Sequence, residues 1–208
     1  LGLVGNPSSV RGFGRAARQT IDKARRSVAR LVGASEDSVI FTSGGTEANN
    51  LAIRGVAEAR DDRRHIVTTA IEHPATERPC AWLGRHGWTL TRVGVDEHGR
   101  ARLDEVRAAI DERTALFTVM HSNNETGAVQ DVAGLAAFAH EHGLFMHTDA
   151  VQAAGRLDID FANLPVTTLA LSAHKMGGPK GIGALVIRDR VDLMPLLRGG
   201  GQERRRRA

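Results

Sequence analysis

Residues 38–59 read SVIFTSGGTEANNLAIRGVAEA, and this stretch decides the fold class. Its first five residues are mostly β-branched or aromatic, which is typical of a short strand. Gly44 and Gly45 follow, and a helix is predicted to begin near Thr46 because apolar residues then recur on one helical face. Those apolar residues are Ala48, Leu51, Ala52, Val56 and Ala59. The stretch therefore predicts a strand, a glycine turn and a helix, which is the repeating unit of α/β folds.

The same alternation of strands and helices continues along the chain, without a repeat of fixed period. Helices are predicted at 15–32, which Gly33 can close, at 104–110, and at 131–142 between the N-cap Asp131 and Gly143. Further strands are predicted at 65–71, 89–95, 114–120, 144–148, 167–171 and 184–188. The loop between the last two strands is too short for a crossover helix, so they must run antiparallel if they pair. We therefore expect an α/β fold with a mostly parallel mixed sheet and helices on both faces.

Composition excludes several function classes. Of the 208 residues 41% are hydrophobic and 25% charged, which excludes a disordered chain. There is no transmembrane-length apolar run and no apolar leader, so we expect no membrane association. The net charge of +4 resides in the run Arg204 to Arg207, which we expect to be solvated, and no nucleic acid is expected as a partner. Because Cys80 is the single cysteine, no internal disulfide can form, and we expect a reducing, cytoplasmic location.

Polar residues follow one predicted strand after another. Ligands of parallel α/β sheets bind outside the carboxyl ends of the strands, so these residues are candidates for one site. They are Ser43 to Thr46, Glu72 and His73, His121 to Glu125, Asp149 and Gln152, and Ser172, His174 and Lys175.

Two of these groups suggest a ligand that carries an anionic group and is bound covalently to the protein. The turn Gly44-Gly45-Thr46 can cradle a phosphate at a helix N-terminus, or it can simply be a tight turn that needs glycine. It contains no lysine and so is not a nucleotide P-loop. Lys175 is one of only three lysines, and a lysine at the floor of a cleft can be desolvated and form a Schiff base. Lys180 is interpreted as a turn residue and Lys23 as a solvated helix residue.

Two further residues fit a flat, cationic ring. Asp149 can pair with a protonated pyridine nitrogen or serve as an N-cap, and His73 can stack on a ring or be a structural histidine. A phosphate cradle, a Schiff-base lysine, an acid for a ring nitrogen and a stacking partner together describe a site for pyridoxal 5'-phosphate. Cys80 lies in CAWLGRHG (80–87), which reads as a helix packing an apolar face, and we interpret it as an inert buried thiol.

The chain resembles the cysteine desulfurases, in the class V aminotransferase-like group of fold-type-I pyridoxal-phosphate enzymes. Six stretches in the family's order carry this resemblance, which extends to GGGQE (199–203). They are NPSS (6–9), FTSGGTEANN (41–50), IEHPA (71–75), NNETG (123–127), HTDAVQ (147–152) and SAHKMGGPKGIG (172–183). Position 11 is Arg where the common motif continues to His.

The resemblance implies a role for each matching residue. Lys175 would form the Schiff base, His73 would stack on the ring and help proton transfer, and Asp149 would pair with the ring nitrogen. Gln152 would donate to the ring's phenolic oxygen, and Asn124 would lie near that oxygen and the substrate. The phosphate shell implied by the resemblance is Gly45, Thr46, Ser172 and His174.

The resemblance also implies an activity and partners. L-cysteine would be converted to L-alanine, and a mobile cysteine would carry the sulfur as a persulfide to an acceptor or cluster scaffold protein for iron–sulfur cluster or thiocofactor assembly. The full protein would be a homodimer. Residues 1–203 would form the large, cofactor-binding domain, incomplete at both ends, and 204–208 a basic tail leading to a C-terminal domain with the nucleophilic cysteine. The alternatives are another class V member, such as a selenocysteine lyase or a small aminotransferase, and a non-catalytic fragment or pseudoenzyme.

Overall fold

The computed structural model describes residues 5–9, 12–60 and 62–208; Arg11, where the sequence departs from the family motif, lies outside them. The strands are β1 (Val39–Thr42), β2 (His65–Thr69), β3 (Thr89–Val93), β4 (Thr114–Met120), β5 (Phe145–Asp149), β6 (Thr168–Ser172) and β7 (Gly183–Ile187). The α-helices are α1 (Gly12–Leu31), α2 (Gly45–Ala59), α3 (Pro74–Gly84), α4 (Leu103–Ala109) and α5 (Val132–Glu141). Short 3-10 helices lie at Glu36–Ser38, Ala173–Lys175 and Gln202–Arg205.

The strands form one sheet in the order β1-β7-β6-β5-β4-β2-β3. Neighbours from β6 through β3 are parallel, whereas β7 runs antiparallel to both β6 and β1. The predicted antiparallel pair is therefore confirmed, with Thr168 opposite Ile187 and Ser172 opposite Gly183. Every described strand except β7 points the same way, so six carboxyl ends lie at one edge.

Two layers of apolar side chains cover the two faces of the sheet, which confirms the predicted α/β architecture. Phe117 and Val119 of β4 pack in one layer with residues of α1, α4 and α5. Leu116, which directly precedes Phe117 in the sequence, packs in the other layer with residues of α2 and α3. This alternation follows from the period of two in a strand. It explains why β4 is mostly apolar, with threonine at 114 and 118, because both of its faces are buried.

The predicted ends of the elements hold to within two residues, except at α1, which begins three residues early at Gly12, and at α3. The sequence predicted a helix only around 80–87, but α3 begins at Pro74. His73 is its N-cap, with the ring Nδ1 accepting a hydrogen bond from the Ala75 backbone N–H at 3.0 Å. Cys80 of α3 is fully buried, as predicted, and burial raises the pKa of its thiol.

The arginine-rich tail is only partly solvated: Arg204 and Arg205 are exposed, as the sequence predicted, but Arg206 and Arg207 are half-buried. Glu203 lies just before it, and its carboxylate accepts hydrogen bonds from Arg25 and from the Phe41 backbone N–H of the sheet-edge strand β1. Arg204 then pairs with Asp37, and Arg207 pairs with Glu47. The sequence did not reveal these pairs because each one joins residues more than 150 positions apart. In the described part of the chain, no helix has the length and apolar character needed to cross a bilayer.

We expect Arg25→Ala to lower the free energy of unfolding by about 3 kcal/mol, because it leaves the largely buried Glu203 carboxylate without its partner. The midpoint of urea unfolding measures this change. Arg18→Ala is the matched control, since Arg18 pairs with Asp22 in solvent, and its effect should stay within about 0.5 kcal/mol. Equal effects of the two variants would show that the Arg25–Glu203 pair does not hold this segment to the sheet.

Candidate cofactor site

A cleft of about 450 Å³ opens at the edge of the sheet where the parallel strands end. It collects residues from the turns after β1, β2, β4, β5 and β6, which are far apart in the sequence. All the residues predicted for the site line it: Gly45, Thr46, His73, Asn124, Asp149, Gln152, Ser172, His174 and Lys175. His121, another polar residue that follows a strand, lines a separate surface depression beside Asp131 instead.

The N-terminus of α2 forms one end of the cleft. By helix geometry its first N–H groups have no intrahelical acceptor and point out of the helix end. The backbone there approaches its neighbours closely, because a Cβ on Gly45 would lie 2.7 Å from Val151 Cγ2. A Cβ on Gly183 would likewise lie 2.7 Å from the Cα of Gly44. These glycines therefore allow the turn to pack closely against the edge of the sheet. This packing is compatible both with a phosphate cradle and with a tight turn that needs glycine.

Glu47 brings a negative charge to this end of the cleft, and Arg207 balances it. Burial alone would raise the pKa of the Glu47 carboxyl, but hydrogen bonds from Arg207 and from the Ser43 backbone N–H lower it overall. The carboxylate is thus ionised and paired. The tail therefore compensates the one acidic side chain in the first turn of α2.

Asp149 ends β5 and lies in the cleft at 4% exposure. Its Oδ1 accepts a hydrogen bond from the Val151 backbone N–H at 3.0 Å, and its Oδ2 accepts one from Asn49 Nδ2 at 2.6 Å. Burial raises the pKa of the carboxyl, and these two hydrogen bonds oppose that rise. Asp149 is therefore a buried acid whose charge needs support from its neighbours.

Lys175 lies on the 3-10 turn that directly follows β6. The expectation of a desolvated lysine at the floor of the cleft is wrong, because the Lys175 side chain is exposed. Beside it, Ser172 Oγ and His174 Nδ1 are hydrogen-bonded at 2.9 Å. Lys180 does lie in a turn, as predicted, but it also lines the cleft and gives it a second amine.

Asn124 and Gln152 are oriented by neighbouring hydrogen bonds. Asn123 Oδ1 accepts from the backbone N–H groups of Glu125 and Thr126, which fixes the loop that carries Asn124. The Gln152 Oε1 accepts from Arg156 Nη1 at 3.3 Å, so its amide group is free to donate.

Sequence reasoning missed the buried residue Asn49 near the cleft, and it named Glu72 as a candidate without giving it a role. Asn49 lies three residues after Thr46 on α2 and is 1% exposed. A polar residue between apolar helix positions was the only signal for it. Glu72 precedes His73, and its Oε1 accepts hydrogen bonds from Thr69 Oγ1 and from the Met120 backbone N–H. Burial raises the pKa of Glu72 to about 8, and its Oε2 has no hydrogen-bond partner among the described residues.

Comparison with known proteins identifies the family. The family model for aminotransferase class-V matches residues 2–207. The chain belongs to the class-V aminotransferase family. Curated relatives include a cysteine desulfurase of Cereibacter sphaeroides, 49% identical over 98% of this chain, and the cysteine desulfurase IscS of Methanosarcina thermophila, 46% identical over 98%. The resemblance to cysteine desulfurases is thus confirmed, and pyridoxal phosphate is the cofactor of this family, as the sequence predicted.

Solved structures agree with the sequence relatives. The structure of SspA in complex with cysteine matches 99% of this chain with a TM-score of 0.95 and 39% identity. DndA from Streptomyces lividans matches 98% with a TM-score of 0.90 and 39% identity. The chain spans about half the length of the curated relatives it matches, 53% and 51% for the two named above, and about 60% of these two solved chains.

We expect the buried carboxyl of Glu72 to make stability depend on pH. Its pKa is about 8 in the folded protein and 4.5 without the burial, so between these values only the folded state keeps the proton. The free energy of unfolding therefore falls as the pH rises from about 4.5 to 8. Glu72→Gln keeps an acceptor at Oε1 and removes the titration.

Urea unfolding at pH 5 and pH 8 measures this effect. The free energy of unfolding of the natural protein should fall between pH 5 and pH 8 by on the order of 1–3 kcal/mol more than that of Glu72→Gln. Glu97→Gln, at an exposed side chain, is the control and should show no such difference. If the free energy of unfolding depends on pH equally in Glu72→Gln and Glu97→Gln, Glu72 is not buried in its protonated form.

Proposed function

We propose that this chain is the cofactor-binding part of a pyridoxal-phosphate-dependent cysteine desulfurase. In the overall reaction the C–S bond of L-cysteine breaks and L-alanine leaves. The sulfur bonds to the sulfur of an acceptor thiol and forms a persulfide. The hydrogen that this thiol loses accounts for the additional hydrogen in the methyl group of alanine. The observation that carries the proposal is that one cleft is lined by the Gly45-Thr46 turn, Asp149 and Lys175. The names of the relatives supply the reaction.

The two ends of the cleft fit the two ends of the cofactor. At one end the α2 N-terminus favours an anion, and Ser172 and His174 add polar atoms on the β6 side. Glu47 does not oppose an anion there because Arg207 pairs with it. At the other end the Asp149 carboxylate keeps lone pairs free for a protonated ring nitrogen.

The remaining residues would position the cofactor and handle protons. When bound, pyridoxal phosphate withdraws electrons from the bonds around the substrate Cα. Lys175 would hold it covalently through Nζ, and the amine, once released from that bond, would carry protons in the cleft. Gln152 would donate its free amide hydrogens to the phenolic oxygen, with Asn124 beside it. His73 would stack on the ring, held by its Nδ1 contact at the start of α3.

The persulfide would form on a cysteine outside these 208 residues. Cys80 is fully buried, and burial raises the pKa of its thiol, which disfavours the thiolate needed for attack. We therefore assign residues 1–203 to the large domain and the mobile nucleophile to the part of the relatives' length that this chain does not span. A homodimer, a sulfur-acceptor or cluster scaffold protein, and a cytoplasmic location complete the proposal.

Reduction with borohydride tests which amine holds the cofactor. After incubation with pyridoxal phosphate, the protein should show a visible absorption band, and borohydride should fix the cofactor to the peptide that contains Lys175. Lys175→Arg should lose both signals. Lys180→Arg is the matched control, because it removes the other cleft amine while keeping its charge, and it should retain both. Labelling of Lys180 in place of Lys175 would overturn the assignment.

The reaction itself is tested on the natural full-length protein loaded with pyridoxal phosphate. With L-cysteine and a reducing thiol, it should release L-alanine and sulfide in equal amounts. Lys175→Arg should lower the rate by at least about 100-fold, in keeping with the loss of a covalent and acid–base group. Alanine formation from L-selenocysteine alone, or amino-group transfer to a 2-oxo acid alone, would favour the other class V activities.

A further inference from the structure

A chain of buried hydrogen bonds runs from Asp149 away from the cleft. Asn49 Nδ2 donates to Asp149 Oδ2 at 2.6 Å, and Asn49 Oδ1 lies 2.9 Å from His147 Nε2. His147 Nδ1 lies 2.9 Å from Thr168 Oγ1. All four residues are at most 4% exposed, and they link α2, β5 and β6 behind the cleft.

The chemistry of these groups allows one arrangement of protons. An ionised carboxylate only accepts, so the amide NH₂ of Asn49 must face Asp149 and the amide oxygen must face His147. His147 Nε2 must then carry a hydrogen. Burial lowers the pKa of His147 to about 3, so the ring is neutral near pH 7 and its Nδ1 accepts from the Thr168 hydroxyl. A neutral ring carries one hydrogen, so with that hydrogen on Nε2 His147 supports the Asn49 orientation that the Asp149 carboxylate requires.

We propose that Asn49 is a positioning residue, which Thr168 and neutral His147 orient so that its amide holds the Asp149 carboxylate ionised and directed at the cofactor's ring nitrogen. This inference rests on the proposed function, because it gives Asp149 a cationic ring to face. Buried at the strand end, Asp149 has two charged or titratable neighbours, His73 at the start of α3 and Glu72 after β2. Neither of them is hydrogen-bonded to it in the structure. Asn49 and the Val151 N–H donate hydrogen bonds that offset the cost of burying its charge, and His73 and the Thr76 side chain act in the same direction.

The first test uses the natural protein without cofactor. The Asp149 carboxyl and the His147 ring nitrogens are followed by NMR through a pH titration. In Asn49→Ala, the pKa of Asp149 should rise by one unit or more, a tenfold change in its acid constant, because a hydrogen bond to the charged form is lost. The His147 ring should also lose its preference for a hydrogen on Nε2. An unchanged Asp149 titration would overturn the proposal, whether or not the cofactor binds.

The second test compares pyridoxal phosphate with an analogue that has carbon in place of the ring nitrogen. The natural protein should prefer pyridoxal phosphate, and Asn49→Ala should reduce that preference about tenfold. A purely structural role would weaken both affinities equally and leave the ratio unchanged, which would also overturn the proposal. If the natural protein binds neither compound, the proposed function fails, while the cofactor-free titration still decides the role of Asn49.

Two further variants complete the comparison. Asn163→Ala removes an Asn–Asp hydrogen bond of similar length, 2.7 Å to Asp160, on the exposed surface, and it should change neither the Asp149 titration nor the affinity ratio. Thr168→Val deletes the hydroxyl that sets the His147 tautomer, with little change in side-chain volume. If Asn49→Ala does not fold, Thr168→Val should still lower the affinity ratio about two- to threefold, and an unchanged ratio would overturn the proposal.

Discussion

Six of the seven described strands run in the same direction, and the candidate site depends on this constraint. Residues more than 100 positions apart, such as Gly45 and Lys175, come to one cleft because the strands before them end at the same edge. The antiparallel strand β7 matters equally, because it separates β1 from β6. Gly183, at the start of β7, allows the α2 turn to approach the sheet more closely than any side chain would permit.

The electrostatics of the cleft follow from where each charge lies. Asp149 lines the cleft and is buried, the carboxyl of Glu72 is buried after β2, and burial raises the pKa of both. The amines Lys175 and Lys180 are exposed at its outer side. In the proposed function, a cofactor with a cationic ring and an anionic phosphate fits this separation, because its ring nitrogen would face the buried carboxylate and its phosphate would face the helix N-terminus. Arg207, on the tail, keeps Glu47 from opposing that phosphate.

The sequence predicted local features and missed those that depend on contacts between distant residues. Strands such as β4 are runs of apolar and β-branched residues, and Asp131 and Gly143 mark the ends of α5, so local sequence patterns located them. The early start of α3 depends on the His73 ring, which caps the helix. The amino-acid sequence does not distinguish a capping histidine from a catalytic one. Asn49 and the tail arginines gain their partners only through folding. The exposure of Lys175 likewise depends on which segments cover it, and strand order does not determine that.

A crystal structure of the natural protein with pyridoxal phosphate tests the central claim most directly. We expect continuous density from Lys175 Nζ to the cofactor, the phosphate within hydrogen-bond distance of the Gly45 and Thr46 N–H groups, and the ring nitrogen beside Asp149. Density that joins the cofactor to Lys180, or a phosphate bound away from the α2 N-terminus, would contradict it.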